Sequence, residues 1–389
     1  MIEPGREAGE SRFAQLRRFA GLVLLFVLFL GAIDGLGEGF KGLGSGLLDG
    51  FFQASANPFV GLIIGILATT LVQSSSVTSS LIVGLVAAPE SPLPFEHAIP
   101  MVMGANIGTT VTNSIAALGH LRDGKELRRA FEVATCHDMF NLIAVCILLP
   151  LEIATGFLAR LSGLIAGLFG GLLGTGVDYE SPLKGIIELV PIPIQWFAGV
   201  VTGSDEAAAA VLAVISVALL VVALGLLVRT LKSISAGRGE AALHRVLGRH
   251  ALLAMGAGAV VTVLVQSSSI TTSMLVPLAG AGLLLLDDAF PVTLGANVGT
   301  TVTAFLAALA VSGPNAHWGF QLAVVHLLFN LVGILLVYPV SRIRQIPLAA
   351  ARRLADIAVA NRSLAVAYVI AAFYGLPALL LVISRALGF

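Results

Sequence analysis

Two short polar patches stand out in a chain that is otherwise strongly apolar. Residues 71–80 read LVQSSSVTSS and residues 264–273 read LVQSSSITTS, so each patch sets one amide and several hydroxyls among apolar residues. A second pair of polar blocks reads GANIGTT from Gly104 and GANVGTT from Gly295. Clustered neutral oxygens can replace the hydration shell of a sodium ion, and helix N-termini can hold an anion. The patches therefore predict an ion-binding site.

The composition identifies the class of protein that surrounds these patches. Of the 389 residues, 57% are hydrophobic and only 11% are charged, whereas soluble domains carry about a quarter charged residues. A soluble core cannot bury this much apolar surface, so we predict an all-α polytopic membrane protein. The formal net charge of zero gives no indication of nucleic-acid binding. The apolar run over 19–33 has no small-residue cleavage site before Asp34, and we interpret it as a retained first helix.

The chain contains an internal duplication. The Gln-Ser-Ser-Ser patches are 193 residues apart, the Gly-Ala-Asn blocks 191, and the blocks that begin at His137 and His326 are 189 apart. Three blocks in the same order predict two structural repeats. The apolar runs beside each Gln-Ser-Ser-Ser patch are shorter than the roughly 20 residues that cross a bilayer. Each patch is therefore predicted to be the tip of a re-entrant hairpin, over 57–88 and 250–286.

The basic residues orient these segments in the membrane. The stretches 1–18, 120–132, 229–250 and 342–362 together hold 18 of the 22 Lys and Arg residues. The positive-inside rule places them, and the N-terminus, on the cytoplasmic side of a cell membrane. With this assignment, the chain crosses the membrane three times between the two hairpins. Because three is an odd number, the second hairpin enters from the opposite face and the repeats are predicted to be inverted. Inverted repeats with interrupted helices are typical of secondary transporters with a site near the midplane.

The predicted organisation has six parts. They are an N-terminal tail with a first transmembrane helix (1–56), repeat 1 (57–177), an extracellular loop (178–206), a linking helix with a cytoplasmic loop (207–249), repeat 2 (250–341), and a basic cytoplasmic segment with a last helix (342–389). After its hairpin, repeat 1 is expected to contain a broken helix (98–119), a helix (131–150) and an interfacial segment (153–177). Repeat 2 is expected to contain a broken helix (289–312) and a helix (316–341). The helix breaks are predicted because two glycines and an asparagine fall within each Gly-Ala-Asn block.

Other polar residues within the apolar runs have structural interpretations. His137 and His326 are expected to bond neighbouring carbonyls, and Asn141 and Asn330 to bond adjacent helices. Asp138 is expected to pair with His137 or with a nearby basic residue, although an intramembrane acid is also a functional candidate. Neither pair of motifs contains Lys or Arg, so an anion there requires co-bound cations. No nucleophile with an orienting base stands out, and we do not expect an enzyme.

The paired motifs resemble those of a known family. The two Gln-Ser-Ser-Ser patches, GANIGTT and GANVGTT, and the blocks ATCHDMFN and VVHLLFN are similar to those of the type II sodium-dependent phosphate cotransporters. The resemblance covers most of 57–177 and 250–389. It implies a plasma-membrane symporter that carries inorganic phosphate with sodium ions by alternating access and needs no organic cofactor. Because no long insert separates the halves, the chain resembles a compact prokaryotic member.

The resemblance also implies which residues bind each ion. Phosphate would lie between the two tips, with the ligands Ser74, Ser75, Ser76, Ser267, Ser268 and Ser269. One sodium site would comprise Gln266, Ser267, Asn297, Thr300 and Thr303, and its mirror image Gln73, Asn106, Thr109 and Thr112. Two alternatives stay open: a sodium symporter of another anion, such as a dicarboxylate, and a membrane phosphate sensor that transports nothing. A homo-oligomer in the lipid bilayer is compatible with the sequence.

Overall fold

The computed structural model describes residues 12–42, 54–88, 92–173, 184–235 and 250–386, and these residues form helices without any β-strand. The first half contains α1 (Arg12–Gly42), α2 (Pro58–Val72), α3 (Ser75–Val86), α4 (Phe95–Thr109), α5 (Val111–Leu118), α6 (Gly124–Thr155) and α7 (Phe157–Leu173). Next come α8 (Lys184–Ile187), α9 (Pro191–Val201) and α10 (Asp205–Ser235). The second half contains α11 (Ala251–Val265), α12 (Ser268–Ser273), α13 (Leu275–Gly280), α14 (Leu286–Ala310), α15 (Ala316–Val337), α16 (Ser341–Ala360), α17 (Arg362–Ile370) and α18 (Leu376–Ala386).

Six of the described helices are long and apolar enough to cross a membrane. They are Leu16–Leu36 in α1, α6, Asp205–Leu227 in α10, α14, α15, and Arg362–Ser384, which runs from α17 into α18. These helices confirm the prediction of an all-α polytopic membrane protein. The tail before residue 12 and most of the predicted cytoplasmic loop of 207–249 lie outside the described residues.

Each Gln-Ser-Ser-Ser patch lies between helices that are too short to cross a bilayer. In the first half, α2 has 15 residues and α3 has 12; in the second half, α11 has 15 and is followed by α12. Asn57 begins α2 by accepting a hydrogen bond from the backbone N–H of Phe59, and Pro58 occupies the first helical position. The second arm of the second hairpin is divided into α12 and α13 at Met274.

The predicted helix breaks at the Gly-Ala-Asn blocks differ from the observed helices. In the second half the prediction of a broken helix over 289–312 is wrong, because α14 runs without interruption from Leu286 to Ala310. In the first half the break is a single residue, Thr110, which itself has helical dihedral angles and separates α4 from α5. The carbonyl groups of these blocks therefore remain inside helices and are not freed by unwinding.

The glycines of these blocks serve close helix packing instead. A Cβ atom on Gly295 would overlap the backbone carbonyl oxygen of Met255 on α11, and a Cβ atom on Gly104 would overlap that of Leu62 on α2. Only glycine allows two helix backbones to approach this closely. The sequence does not distinguish a glycine that allows close helix packing from one that interrupts a helix. The predicted helix break was therefore wrong.

Two predicted connecting segments also contain helices. The stretch 178–206, predicted as an extracellular loop, includes α8 and α9. The basic segment predicted from residue 342 forms α16, and its Arg352 donates to Asp287 at the start of α14 at 2.6 Å.

At the start of α6, Asp123 accepts hydrogen bonds from the backbone N–H groups of Glu126 and Lys125, and these hold the pKa of its carboxyl below the ordinary value.

Candidate functional site

The tips of the two hairpins have the same backbone geometry. Gln73 and Gln266 have φ angles of 58° and 55°, and within the described residues no other non-glycine residue has a positive φ. Ser74 and Ser267 follow in extended conformation, and each hydroxyl oxygen accepts a hydrogen bond from the backbone N–H three residues further on, at 3.3 and 3.4 Å. A left-handed non-glycine residue costs about 1–2 kcal/mol. The glutamine side chains must therefore serve a purpose that glycine cannot.

The two glutamine side chains make equivalent contacts. Each Nε2 donates to the backbone carbonyl three residues earlier, at 2.6 Å for Gln73 and 2.7 Å for Gln266. The last carbonyls of a helix lack intrahelical donors, so each amide caps the helix that it follows. Each Oε1 then accepts from a threonine hydroxyl on the neighbouring helix, Thr112 at 3.2 Å and Thr303 at 3.0 Å. The structure thus brings together one Gln–Thr pair from each predicted sodium site.

The two Gln–Thr pairs differ in their exposure. Gln266 and Thr303 are buried, with 9% and 1% of their surface exposed, whereas Gln73 is exposed. The Ser76 hydroxyl of the first tip lies 3.4 Å from the backbone carbonyl oxygen of Gln266 and 3.4 Å from the Thr303 hydroxyl. The first tip therefore contacts the Gln–Thr pair of the second tip. Within the described residues, no side chain of the second tip forms a hydrogen bond with Gln73.

The predicted asparagine ligands join the two halves of the protein at its centre. Asn297 Oδ1 lies 2.6 Å from His137 Nε2, and Asn297 Nδ2 donates to Asn141 Oδ1 at 2.8 Å. Asn106 Oδ1 lies 3.4 Å from His326 Nε2. Each histidine thus bonds the asparagine side chain of the opposite half, where a neighbouring carbonyl had been predicted. No described hydrogen bond links Asn297 or Asn106 to a tip glutamine.

The remaining predicted sodium ligands bond their own helices. The Thr300 and Thr109 hydroxyls donate to the carbonyl four residues earlier, at 3.0 and 2.8 Å. Asn141 Nδ2 also donates to the backbone carbonyl of Asn106 at 2.8 Å, and Asn330 Nδ2 donates to that of Asn297 at 3.3 Å. These two contacts confirm the predicted helix–helix hydrogen bonds of Asn141 and Asn330.

Asp138 has partners that the sequence did not indicate. Its Oδ2 accepts from the Ser114 hydroxyl at 3.1 Å and from the Tyr368 hydroxyl at 2.8 Å. The predicted pairing with His137 or a basic residue is wrong, since the His137 ring nitrogens face Asn113 and Asn297 and the hydrogen bonds described for Asp138 come from hydroxyl groups. Asp138 and Tyr368 are 230 positions apart, and no motif connects the last helix to this region of the sequence.

Asn113 is a site residue that the sequence analysis missed. Its Oδ1 accepts from the Thr272 hydroxyl at 2.9 Å, and this bond joins α5 to the second hairpin. A comparison of the two copies could have identified it. The first copy reads TVTN and ends at Asn113, whereas the second reads TVTA and ends at Ala304. A polar residue present in only one copy marks a contact that the two-fold repeat does not share.

A cavity of about 310 Å³ separates the two tips. Its lining includes Gln73 and Ser74 of the first tip, Ser267 and Ser269 of the second, and Thr112, and one wall is the apolar surface of α10. Among the residues that the structure describes, no Lys, Arg, Asp or Glu lines it. Of the six predicted phosphate ligands, the structure brings three to this cavity and leaves three outside its lining: Ser74, Ser267 and Ser269 line it, and Ser75, Ser76 and Ser268 are buried beside it.

The fold and the site define a multi-pass helical membrane protein with a cavity between two helix tips that is lined by hydroxyl, amide and apolar side chains. The chain belongs to the Na+/Pi-cotransporter family, which it matches over residues 28–176 and 219–358. It is 34% identical to sodium-dependent phosphate transport protein 2A of Ovis aries, over 99% of this chain and 72% of that protein.

Two further relatives agree with this assignment. The 2A protein of Rattus norvegicus is 35% identical over 97% of this chain and 70% of its own length. Sodium-dependent phosphate transport protein 2B of Bos taurus is 33% identical over 94% of this chain and 64% of its own length. No solved structure matches the chain. The family resemblance noted from the paired motifs is thereby confirmed.

Proposed function

We propose that this protein carries inorganic phosphate across the cell membrane together with sodium ions, by alternating access. The observation that carries the proposal is the cavity of about 310 Å³ in which hydroxyls of both hairpin tips converge, and to which the described part of the chain contributes no charged side chain. In this proposal the hairpins are re-entrant and the two repeats inverted, so that the two tips meet within the bilayer. The relatives named as sodium-dependent phosphate transport proteins support the same assignment.

The uncharged lining makes sodium a requirement for phosphate binding. A multiply charged anion is costly in a low-dielectric site unless opposite charge compensates it. Hydroxyls contribute hydrogen bonds, and α3 begins at the cavity with first-turn N–H groups that lack intrahelical acceptors. These neutral dipoles do not cancel a full charge. Sodium ions bound beside the tips supply it, and so couple the two solutes.

The pair Gln266 and Thr303 is the best-formed candidate for a sodium site. Their oxygens are 3.0 Å apart and buried, and the Ser76 hydroxyl lies against both residues. Such clusters of neutral oxygens bind sodium in transporters. We propose that Ser267, Asn297 and Thr300 complete the coordination when sodium enters. Gln73 and Thr112, with Asn106 and Thr109, form the mirror-image site, which is open in this conformation.

We infer that the cavity is accessible from the cytoplasmic side in this conformation. Val221 and Gly225 line the cavity at 16 and 20 residues beyond Asp205, where α10 begins. At the helical rise this is about 24–30 Å, most of the way across a bilayer core. With the basic segments assigned to the cytoplasm by the positive-inside rule, this distance favours a cavity that opens toward the cytoplasm. The contacts of Ser76 with Gln266 and Thr303 then close the opposite side.

Purified protein in liposomes is expected to take up labelled phosphate when sodium is imposed outside, and to take up almost none when potassium replaces sodium. Sodium is expected to be required because the cavity lining that the structure describes supplies no positive charge to compensate the charge of phosphate. Uptake of a dicarboxylate in place of phosphate would contradict the substrate assignment. Sodium-dependent phosphate binding without transport of any solute would identify a sensor.

A cysteine at Gly225 tests the proposed access. A Cβ atom there meets nothing within 4 Å, and Cys146, the exposed native thiol, is first replaced by serine. An impermeant maleimide is expected to label Gly225→Cys from the cytoplasmic face, and sodium with phosphate should slow labelling several-fold by occupying the cavity. Gly203→Cys, also in open space before α10, is the control and should label from the outer face at a rate that the solutes do not alter. Labelling of Gly225→Cys from the outer face alone would contradict the assigned orientation.

A further inference from the structure

The last helix is interrupted where it passes the first tip. Residues Ala371–Gly375 form a π-helical turn between α17 and α18, in which the backbone N–H of Leu376 donates to the carbonyl of Ala371, five residues earlier. Pro377 follows and has no N–H, so the normal helical hydrogen bond to the carbonyl of Phe373 cannot form. The local sequence thus accounts for the irregularity. π turns within α-helices are frequent at functional sites.

The π turn presents Tyr374 to the first tip. Gln73 Nε2 donates to the Tyr374 hydroxyl at 3.2 Å and to the backbone carbonyl of Thr70 at 2.6 Å. Both hydrogens of the amide are therefore used. With its nitrogen held in this way, the amide turns Oε1 toward the Thr112 hydroxyl, 3.2 Å away.

The π turn is also packed against the helices that carry these groups. Phe373 is 2% exposed and forms a small apolar cluster with Val369 and with Val111, the residue that precedes Thr112 on α5. α2, whose C-terminal end is Gln73, contacts the π turn as well. The turn that carries Tyr374 is thus packed against the two helices that position Gln73 and Thr112.

The second tip lacks such a contact. Gln266 Nε2 donates to the backbone carbonyl of Val263, and the described residues provide it with no tyrosine. Tyr374 lies beyond residue 358, where the match to the cotransporter family ends. A group from outside the duplication is therefore a further difference between the two Gln–Thr pairs.

We infer that Tyr374 is a positioning residue for sodium at the first tip. By accepting a hydrogen bond from Gln73 Nε2, its hydroxyl keeps the amide oxygen directed at the ion position beside Thr112. Without the hydroxyl, the amide is free to turn and to present its NH2 group, which repels a cation. The inference rests on the proposed function, because it assigns a role within the mirror-image sodium site.

The test is Tyr374→Phe, which removes the hydroxyl and keeps the ring. The sodium concentration for half-maximal phosphate uptake is expected to rise about threefold to tenfold, the effect of one lost hydrogen bond. The phosphate concentration for half-maximal uptake at saturating sodium should stay unchanged. The same shift should appear in the sodium concentration that gives half of the thermal stabilisation of the purified protein without phosphate. Tyr338→Phe, whose tyrosine stacks on Phe290 and Arg344 away from both tips, is the control.

A double-mutant comparison separates positioning from a general structural effect. In a Gln73→Ala background the shift caused by Tyr374→Phe should disappear, whereas in a Gln266→Ala background it should persist. An unchanged sodium midpoint in Tyr374→Phe, or an equal shift in the Gln73→Ala background, would overturn the inference. If the unaltered protein is stabilised by sodium but takes up no phosphate, the proposed transport fails and the thermal assay still tests Tyr374. If it responds to sodium in neither assay, both proposals fall.

Discussion

Replacing Gln266 and Ser267 together by alanine is expected to raise the sodium concentration for half-maximal phosphate uptake at least tenfold. Gln266 Oε1 and the Thr303 hydroxyl, 3.0 Å apart and buried, are the oxygens that we assign to sodium. Each hydrogen bond or dipole contact to a charged group is worth about 1.5–3 kcal/mol, and about 1.4 kcal/mol is a tenfold change. The measurement is labelled phosphate uptake into proteoliposomes over a range of sodium concentrations.

The structure also provides the controls for this variant. Ser267 caps α12, so its loss alone lowers stability by about 1 kcal/mol. Thermal inactivation without sodium measures that contribution separately. Gln266→Asn keeps an amide and tolerates the left-handed backbone, and it should fall between the wild type and the double variant. Wild-type sodium activation in a folded double variant would show that sodium does not bind here.

Replacing Gly295 by alanine is expected to destabilise the protein by about 3 kcal/mol or more. The added Cβ atom would overlap the carbonyl oxygen of Met255, which belongs to the backbone of α11. A side chain can change rotamer to relieve a clash, but two helix backbones can only move apart. We expect a large loss of folded protein in detergent, measured by size-exclusion chromatography and by thermal inactivation.

Gly256→Ala is the matched control for this substitution. Gly256 lies on α11 beside Met255, and a Cβ atom there meets nothing within 4 Å. Alanine should be neutral or stabilise by up to about 1 kcal/mol, because glycine is the weaker helix former. Equal losses in the two variants would mean that the close packing of Gly295 against α11 does not explain the destabilisation.

Some features of the site were predictable from residue types and spacing, and others from the family resemblance. The short helices on either side of each Gln-Ser-Ser-Ser patch follow from the length of the apolar runs, and the structure has them. The pairing of Gln73 with Thr112 and of Gln266 with Thr303 was anticipated by the family resemblance. The asparagines were anticipated less well, because their hydrogen bonds cross between the halves and no local pattern encodes such contacts.

By itself, the sequence determined that this is a polytopic helical membrane protein built from two related halves, because hydropathy, charge placement and repeat offsets are properties of the chain. Only the tertiary structure decided how the halves differ. It showed that Ser76 covers Gln266, that Tyr374 holds Gln73, and that Gly295 packs against a neighbouring helix where a break was predicted. These outcomes depend on which surfaces meet after distant segments pack, and side chains hundreds of positions apart carry no mutual signal in a single sequence.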